Sequence, residues 1–249
     1  MSCRTRLDNV SRGSLNCVPM SEPIVPARQS ASVVIVRDGA DSLEVLMLRR
    51  NQKIAFHGGD WVFPGGRVDE ADAQTDGDGD GDGELDVARR AAAREAFEEA
   101  GLDVVAHEMV PFAHWTTPEG LPKRFATWFF VAEVAADTVV QIDGGEIVDH
   151  QWLSPKAALE QRKAGQLSLP APTYVTLLGF SKMTTCQALI AYLRAGGVEQ
   201  FLPRLVKFEG GRSTLYKEDA GYETLELDAP GARHRLVISG TDYDYVRDF

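Results

Sequence analysis

Residues 30–36 and 43–49 are runs of β-branched and aliphatic side chains, and the stretch between them, Arg37-Asp38-Gly39-Ala40-Asp41-Ser42, is made of turn formers. The pattern predicts a β-hairpin. Trp61-Val62-Phe63 is a third extended run that ends in Pro64-Gly65-Gly66, where paired glycines permit backbone conformations and close approaches barred to other residues. Residues 86–100 are rich in Ala, Arg and Glu, all strong helix formers, and Gly101 follows as a C-terminal stop. A helix is expected there. Strand-like runs follow at 102–105, 109–113, 124–134 and 146–153. Ser154-Pro155 supplies an N-cap with proline in the first helical position, predicting a helix toward Ala164. Beyond Gly165 the pattern predicts helices at 173–180 and 185–195, then extended segments around Leu205, Leu225 and Leu236. Strands with one central helix and then more strands imply an α/β or α+β layered domain with a C-terminal extension.

Two stretches fall outside this patterning. Residues 69–84 are acidic and alternate Asp with Gly from Asp76 to Gly83, offering no side chain able to join a core. A flexible surface insertion over 69–85 is expected. A calcium loop does not fit, because a frame opened at Asp78 ends on Arg89 and one opened at Asp76 ends on Val87, where a bidentate Glu is needed. The first residues carry Arg4, Arg6 and Arg12 but no apolar core, so they do not form a secretory signal, and 1–29 is expected to be a disordered tail. The organisation expected is therefore a tail at 1–29, a catalytic domain at 30–164 and an extension at 165–249 packed on its core.

Composition narrows the function classes. A net charge of -11 argues against a general nucleic-acid or anionic-membrane binder, which would need basic patches. A polyanionic substrate would need local cations or a divalent metal. The three cysteines, Cys3, Cys17 and Cys186, have no CxxC spacing, so neither a disulfide framework nor a zinc cluster is indicated, and a reducing cytoplasm fits. The apolar stretch at 125–136 is interrupted by Glu133 and is too short to span a bilayer.

The chemistry concentrates on the predicted helix. Residues three and four apart share a helical face, so Glu95, Glu98 and Glu99 are expected to project together. Like charges at that spacing cost stability unless a cation sits among them, and Mg²⁺ prefers such hard oxygen ligands. Arg94 can pair with a carboxylate and hold its rotamer. A solvated Glu-rich surface face is the bland alternative.

The string Arg94-Glu95-Ala96-Phe97-Glu98-Glu99-Ala100-Gly101-Leu102 resembles the Nudix box, which runs Gly, five residues, Glu, seven residues, Arg-Glu-aliphatic-x-Glu-Glu-x-Gly-aliphatic. Phe63-Pro64-Gly65-Gly66 also resembles that family's approach to the box. There are two departures. Counting back from Arg94 puts Asp86 in the place of the first Glu, whereas counting forward from Gly66 puts Asp72 there, so the box carries 86 − 72 = 14 extra residues. The first departure bears on a salt bridge that orients the helix. The resemblance implies an α/β/α sandwich with a mixed sheet over about 30–164, and hydrolysis of a diphosphate linkage with Mg²⁺ or Mn²⁺. It further implies Glu95 and Glu99 as metal ligands, Glu98 as a third ligand or proton acceptor, and a backbone carbonyl near Gly65 or Gly66 completing the shell. Arg94, Glu95 and Glu98 would be catalytic, with Glu146 as the assisting glutamate outside the box; as a strand-end residue, Glu146 could equally be a surface charge.

The inserted box, with His114-Trp115-Thr116-Thr117-Pro118 and Pro122-Lys123-Arg124-Phe125, resembles the peroxisomal-type Nudix branch associated with coenzyme A and acyl-CoA diphosphatase activity. The expected products are 3′,5′-ADP and (acyl)phosphopantetheine. Arg50, Lys123 and Arg124 are then candidates for the substrate's phosphates and Trp115 for stacking on adenine, although a Trp or Arg at a strand end also serves structure. The better-known CoA motif places Arg where this chain has Ala55, while Gly59 fits it. ADP-ribose, NADH or a nucleotide sugar is the alternative substrate. A non-catalytic ligand-sensing module is the alternative class, disfavoured by the three retained glutamates. The partner implied is a small nucleoside diphosphate derivative, with neither nucleic acid nor membrane, and a homodimer is left open.

Overall fold

A computed structural model describes residues 24–55, 57–73 and 83–249. The expected hairpin is β1 (Arg28–Asp38) and β2 (Leu43–Arg50), antiparallel with Val36 opposite Val45. Both strands are nearly continuous apolar runs because layers cover both of their faces. Around them lie β3 (Trp61–Val62), β4 (Gly65–Arg67), β5 (Val110–Thr116), β6 (Phe125–Glu133), β7 (Ile147–Leu153) and β8 (Glu199–Phe201). These eight strands form one mixed sheet in the order β3-β2-β1-β6-β5-β8, with β4 also on β1 and β7 also on β2. The β1–β6 and β5–β8 pairs are parallel.

One helix, α1 (Glu84–Ala100), covers one face of this sheet. Ala88, Ala91, Ala92, Ala96 and Ala100 bury a stripe of small side chains against Ala31, Val33, Ile35, Leu46, Leu48 and Phe130, which brings the helix axis close to the strands. Gly101 ends it at φ 66, a left-handed conformation that lets its N–H reach back to the Phe97 carbonyl. The opposite face carries α2 (Pro155–Lys163), α3 (Ala171–Phe180) and α4 (Cys186–Gly196). Ser154 caps α2 as expected, its Oγ accepting from the Ala157 N–H at 3.2 Å. Helices on both faces of a mixed sheet make this the α/β architecture that the resemblance implies, one of the two classes that the patterning admits.

The C-terminal segment adds a four-stranded antiparallel sheet of β9 (Arg204–Phe208), β10 (Gly211–Leu215), β11 (His234–Ser239) and β12 (Asp242–Arg247). Tyr216, Leu236 and Ile238 from this region share one hydrophobic cluster with Trp115, Phe129 and Phe201 of the main sheet. A buried ion pair, Asp219 to Arg235 at 2.6 Å, holds the inner end of that sheet.

Several expectations are corrected. Residues 102–105 form no strand: Leu102 and Val104 turn inward beneath α1, but among the described residues no strand pairs with their backbone. Leu225 sits in a turn at φ 63, its N–H bonded to the Gly221 carbonyl, instead of in an extended segment. The insertion is not loop throughout, because Glu70–Ala73 is a turn of 3-10 helix that buries Asp72. Residues 74–82 lie outside the described residues, as do 1–23 with Cys3 and Cys17. Among the described residues no helix is long and apolar enough to cross a membrane.

Candidate active site

The site is built where β4 meets the C-terminal half of α1. β4 runs against β1 with Gly66 opposite Ala31 and Gly65 opposite Ser32. Its two glycines answer two different neighbours. A Cβ on Gly65 would lie 2.5 Å from the Ala31 carbonyl oxygen, and one on Gly66 would lie 2.3 Å from Glu95 Oε1. The first glycine lets the strands close and the second admits a carboxylate.

Glu99 is 4% exposed and its Oε2 accepts the Gly65 N–H at 2.9 Å. Burial pushes its carboxyl up to about 8, helped by the charges of Glu95 and Glu146, while the Gly65 N–H and Arg50 oppose the rise. Glu95 is also raised, again chiefly by burial, with Arg94 opposing and Glu98 and Glu146 adding repulsion. Negative charge is thus gathered where water does not dissipate it.

Arg94 fixes the geometry. Its Nε and Nη2 donate to Asp72 Oδ1 and Oδ2, each at 3.0 Å, a bidentate clasp on a carboxylate only 5% exposed. Its Nη1 donates to Glu95 Oε1 at 2.9 Å and Glu98 Oε2 at 3.0 Å, and Nη2 also reaches the Arg67 carbonyl. Asp72, six residues after Gly66, therefore fills the place of the first box glutamate. Asp86 does not: it pairs with Arg89 at 2.7 Å on α1 itself. The orienting salt bridge is present and the insertion falls wholly after it.

The three helix carboxylates do not converge as expected. Glu95 and Glu99 turn inward to the glycines, whereas Glu98 is exposed and rests on Arg94. Residue 98 is one position from 99 and so points about 100° around the helix from it. The further charge is Glu146, from a distant loop, itself exposed but near enough to help raise the carboxyls of both Glu95 and Glu99. Arg50 Nη2 donates to Glu146 Oε1 at 2.5 Å, and Asp143 braces the loop by accepting the N–H groups of Gly145, Glu146 and Ile147 at 3.1, 2.7 and 2.8 Å. Asn51 completes the tie, its N–H donating to the Glu146 carbonyl at 2.8 Å. Among the described residues, three ligand-type atoms lie within 4.8 Å of one another only at Asp38, Glu133 and Cys186, so Glu95, Glu99 and Glu146 stand wider apart than that.

The structure thus brings Arg94, Glu95, Glu99, Gly66, Arg50 and Glu146 together, with Glu98 on the exposed side of Arg94, and leaves Trp115, Lys123 and Arg124 elsewhere. Trp115 is 6% exposed, stacked on Phe201 at 3.9 Å and edge-on to Tyr216, so its ring belongs to the core and is not open to an adenine. Arg124 is engaged with backbone, donating to Thr117 O at 3.1 Å and Val25 O at 2.8 Å, while Lys123 is exposed. Arg124 does line a groove of about 500 Å³ with Arg204 and Tyr222. A larger cavity of about 850 Å³ lies past the C-terminal end of α1, lined by Val104, Met109, Ile190 and Arg194. Neither is lined by Glu95 or Glu99.

Residues 26–171 match the NUDIX domain family. The chain belongs to the Nudix family. Among solved structures, a Nudix hydrolase from Alicyclobacillus acidocaldarius superposes with TM-score 0.58 at 22% identity, covering 67% of this chain and 96% of that one, which establishes the shared fold. A Caenorhabditis elegans protein provisionally named nudix hydrolase 7 is 26% identical over 191 residues, covering 63% of this chain and 61% of its own length. A Xenopus laevis protein named acyl-coenzyme A diphosphatase NUDT19 is 23% identical, covering 81% of this chain and 82% of its own length. Another Caenorhabditis elegans relative, named peroxisomal coenzyme A diphosphatase ndx-8, is 36% identical over 77 residues, which is 30% of this chain and 28% of its own.

Proposed function

We propose that this Nudix protein hydrolyses the diphosphate linkage of coenzyme A or acyl-CoA, releasing 3′,5′-ADP and (acyl)phosphopantetheine. The observation that carries the reading is the gathering of Glu95, Glu99 and Glu146 around Gly65-Gly66, with the Glu99 carboxyl driven up to about 8 by burial and by its neighbours. Such a cradle suits a divalent cation, Mg²⁺ or Mn²⁺, because the donor set is all hard oxygen and Gly66 leaves Glu95 its room. Glu95 and Glu99 would hold the ion, with Glu98 and Glu146 as the further carboxylates whose charge reaches Glu95. When bound, the cation would neutralise the diphosphate and acidify a water.

The remaining work falls to the chain. Arg94 keeps Glu95 aimed at the glycine loop through its clasp on Asp72. Glu146 is placed to accept a proton from the attacking water, and Arg50 beside it offers a fixed positive charge to a substrate phosphate. Glu98, turned outward on Arg94, assists orientation. The CoA assignment draws on the names of the relatives and on the inserted box. Ala55, in place of the Arg of the better-known CoA motif, favours a second reading in which ADP-ribose, NADH or a nucleotide sugar is cleaved instead. The buried free thiol of Cys186 suits a reducing compartment, proposed to be the cytoplasm, although one relative is named for the peroxisome.

Product analysis decides between these readings. Protein with Mg²⁺ and protein with EDTA are given CoA, an acyl-CoA, ADP-ribose and NADH, and 3′,5′-ADP is expected from the first two with Mg²⁺ alone. Cleavage of ADP-ribose or NADH with CoA untouched would remove the CoA assignment, and no cleavage of any of the four would remove the diphosphatase.

A further inference from the structure

We propose that Asp60 is a positioning residue that sets Arg50 for a substrate phosphate and is itself set by His57 and Ser168, an inference resting on the diphosphatase reading of the same site. Arg50 ends β2 on the α1 side of the sheet, since Leu46 and Leu48, four and two positions before it, face that helix. β7 flanks it on one side and brings Glu146, whose Oε1 accepts Arg50 Nη2. β3 flanks it on the other. Leu48 pairs with Val62 and Arg49 with Trp61, so Asp60 is next in the register. The backbones agree: the Arg50 N–H donates to the Asp60 carbonyl and the Gly59 N–H to the Arg50 carbonyl, each at 3.0 Å. Cross-strand neighbours of this kind share a face.

The Asp60 carboxylate is clamped at both oxygens. Oδ2 accepts His57 Nδ1–H at 2.7 Å and Oδ1 accepts the Ser168 hydroxyl at 2.5 Å. Ser168 belongs to the C-terminal extension, between α2 and α3, and its carbonyl accepts the Trp61 N–H at 2.8 Å. His57 takes a left-handed φ of 56 although two glycines follow it. A glycine would adopt that φ without strain but would lose the ring that holds Asp60. Gly58 answers a different demand, since a Cβ there would lie 2.4 Å from the Ile54 carbonyl oxygen. Burial pushes the Asp60 carboxyl up, but the hydrogen bonds from His57 and Ser168 and the charges of His57 and Arg50 outweigh it and keep the group ionised.

Arg50 therefore stands between two carboxylates carried by separate loops, and its charge also opposes the burial-driven rise at Glu99. Neither neighbour saturates it. Nη2 goes to Glu146, whereas Nε is buried and has no hydrogen-bond partner among the described residues. A guanidinium drawn to one side alone would settle wholly on Glu146. The fixed negative charge of Asp60 on the other side balances that pull and leaves N–H groups to meet a phosphate.

The test is a double-mutant cycle read as the Kd of inorganic pyrophosphate with Mg²⁺, with urea unfolding of every variant beside it. Asn keeps the shape of Asp60 and can still bond to His57 and Ser168, so Asp60→Asn removes the charge and spares the turn. It should raise the Kd roughly 3- to 10-fold, and Arg50→Ala roughly 10- to 100-fold, the range of a charge-assisted hydrogen bond. In the Arg50→Ala background Asp60→Asn should add less than about 2-fold, because the residue through which it acts is gone. Ser168→Ala, at an exposed position, should behave alike but more weakly, about 2- to 3-fold alone, and decides the matter if Asp60→Asn does not fold. A mere brace of the turn would lower stability without this dependence on Arg50. Losses that multiply in the double variants, wild-type affinity in both Asp60→Asn and Ser168→Ala, or a wild type that binds no pyrophosphate overturns the proposal. The cleavage panel is separable: a protein that passes the cycle but cleaves none of the four diphosphates loses the diphosphatase reading and keeps the placement of Arg50.

Discussion

Adding one methyl group at each of two adjacent glycines should separate folding from function. In Gly66→Ala the new Cβ would start 2.3 Å from Glu95 Oε1, whereas a tolerated contact needs at least 3.0 Å, so the carboxylate must retreat by 3.0 − 2.3 = 0.7 Å or more. The obstructing atom is the free end of a flexible side chain, and the retreat requires no strand to move. Stability should therefore fall by no more than about 1 kcal/mol. Catalysis should suffer far more, since a displacement of about 1 Å in a positioned group can cost about 10²-fold in rate. In Gly65→Ala the clash is with the Ala31 carbonyl oxygen at 2.5 Å and the Ser32 Cα at 2.7 Å, both backbone of β1. There the strand pair itself must open, and stability should fall by roughly 2–3 kcal/mol. Urea unfolding and turnover of the preferred diphosphate with Mg²⁺ measure the two effects. Wild-type turnover in Gly66→Ala, or a stability loss there matching that of Gly65→Ala, would refute the assignment of Gly66 as the residue that makes room for Glu95.

Two further expectations follow from the same geometry. Asp72→Ala should cost roughly 2–3 kcal/mol in urea unfolding, because it strips two hydrogen bonds from a partly buried Arg94 that retains Glu95 and Glu98, while Asp86→Ala should cost under about 0.5 kcal/mol as a helix-surface pair; equal costs would show that Asp86 orients the helix after all. Without metal, Glu99 titrates at about 8 in the folded chain against an ordinary value of 4.5, so its contribution to stability is full below 4.5 and is lost as pH rises through about 8. Wild type in EDTA should thus lose roughly 2–4 kcal/mol relative to Glu99→Gln across that window, and a divalent cation should reverse the loss; parallel pH profiles for the two proteins would contradict the charge crowding described at the site.

What was legible in the sequence was whatever depends on neighbours along the chain. The hairpin, α1 with its Gly101 stop and the Ser154 cap all rest on local periodicity, and each stands where the patterning places it. Residues 102–105 had the apolar content of a strand but no partner strand among the described residues, and pairing is a property of the sheet. Glu98 was grouped with Glu95 and Glu99 because spacing alone admits all three to one broad face. The structure divides them, since Glu95 and Glu99 are four apart and the glycine loop meets only the line they share. Trp115 was misplaced for a related reason: alternation along β5 puts it on the face that the C-terminal residues Phe201 and Tyr216 cover, and that cover comes from sequence more than eighty positions away.

The position of Asp72 shows how an insertion can hide a salt-bridge geometry from a count along the chain without disturbing it. Counting backward from Arg94 crosses the Asp-Gly stretch and arrives at Asp86, whereas counting forward from Gly66 reaches Asp72 before the stretch begins, and the clasp on Arg94 belongs to Asp72. The clasp already holds Asp72 against α1, so a longer connection between them costs little, about 0.6 kcal/mol for each doubling of its length. Glu146 reaches the site by a different device. β2 and β7 pair with Arg49 opposite Asp149 and then Arg50 opposite Ile147, so the register slips past Val148, which is left exposed. Bulges of this kind re-aim side chains and are frequent beside active sites. Here the slip sets Arg50 against Glu146, and Asp143 pins the loop that carries it. The third carboxylate therefore depends on a one-residue irregularity between two strands about a hundred positions apart.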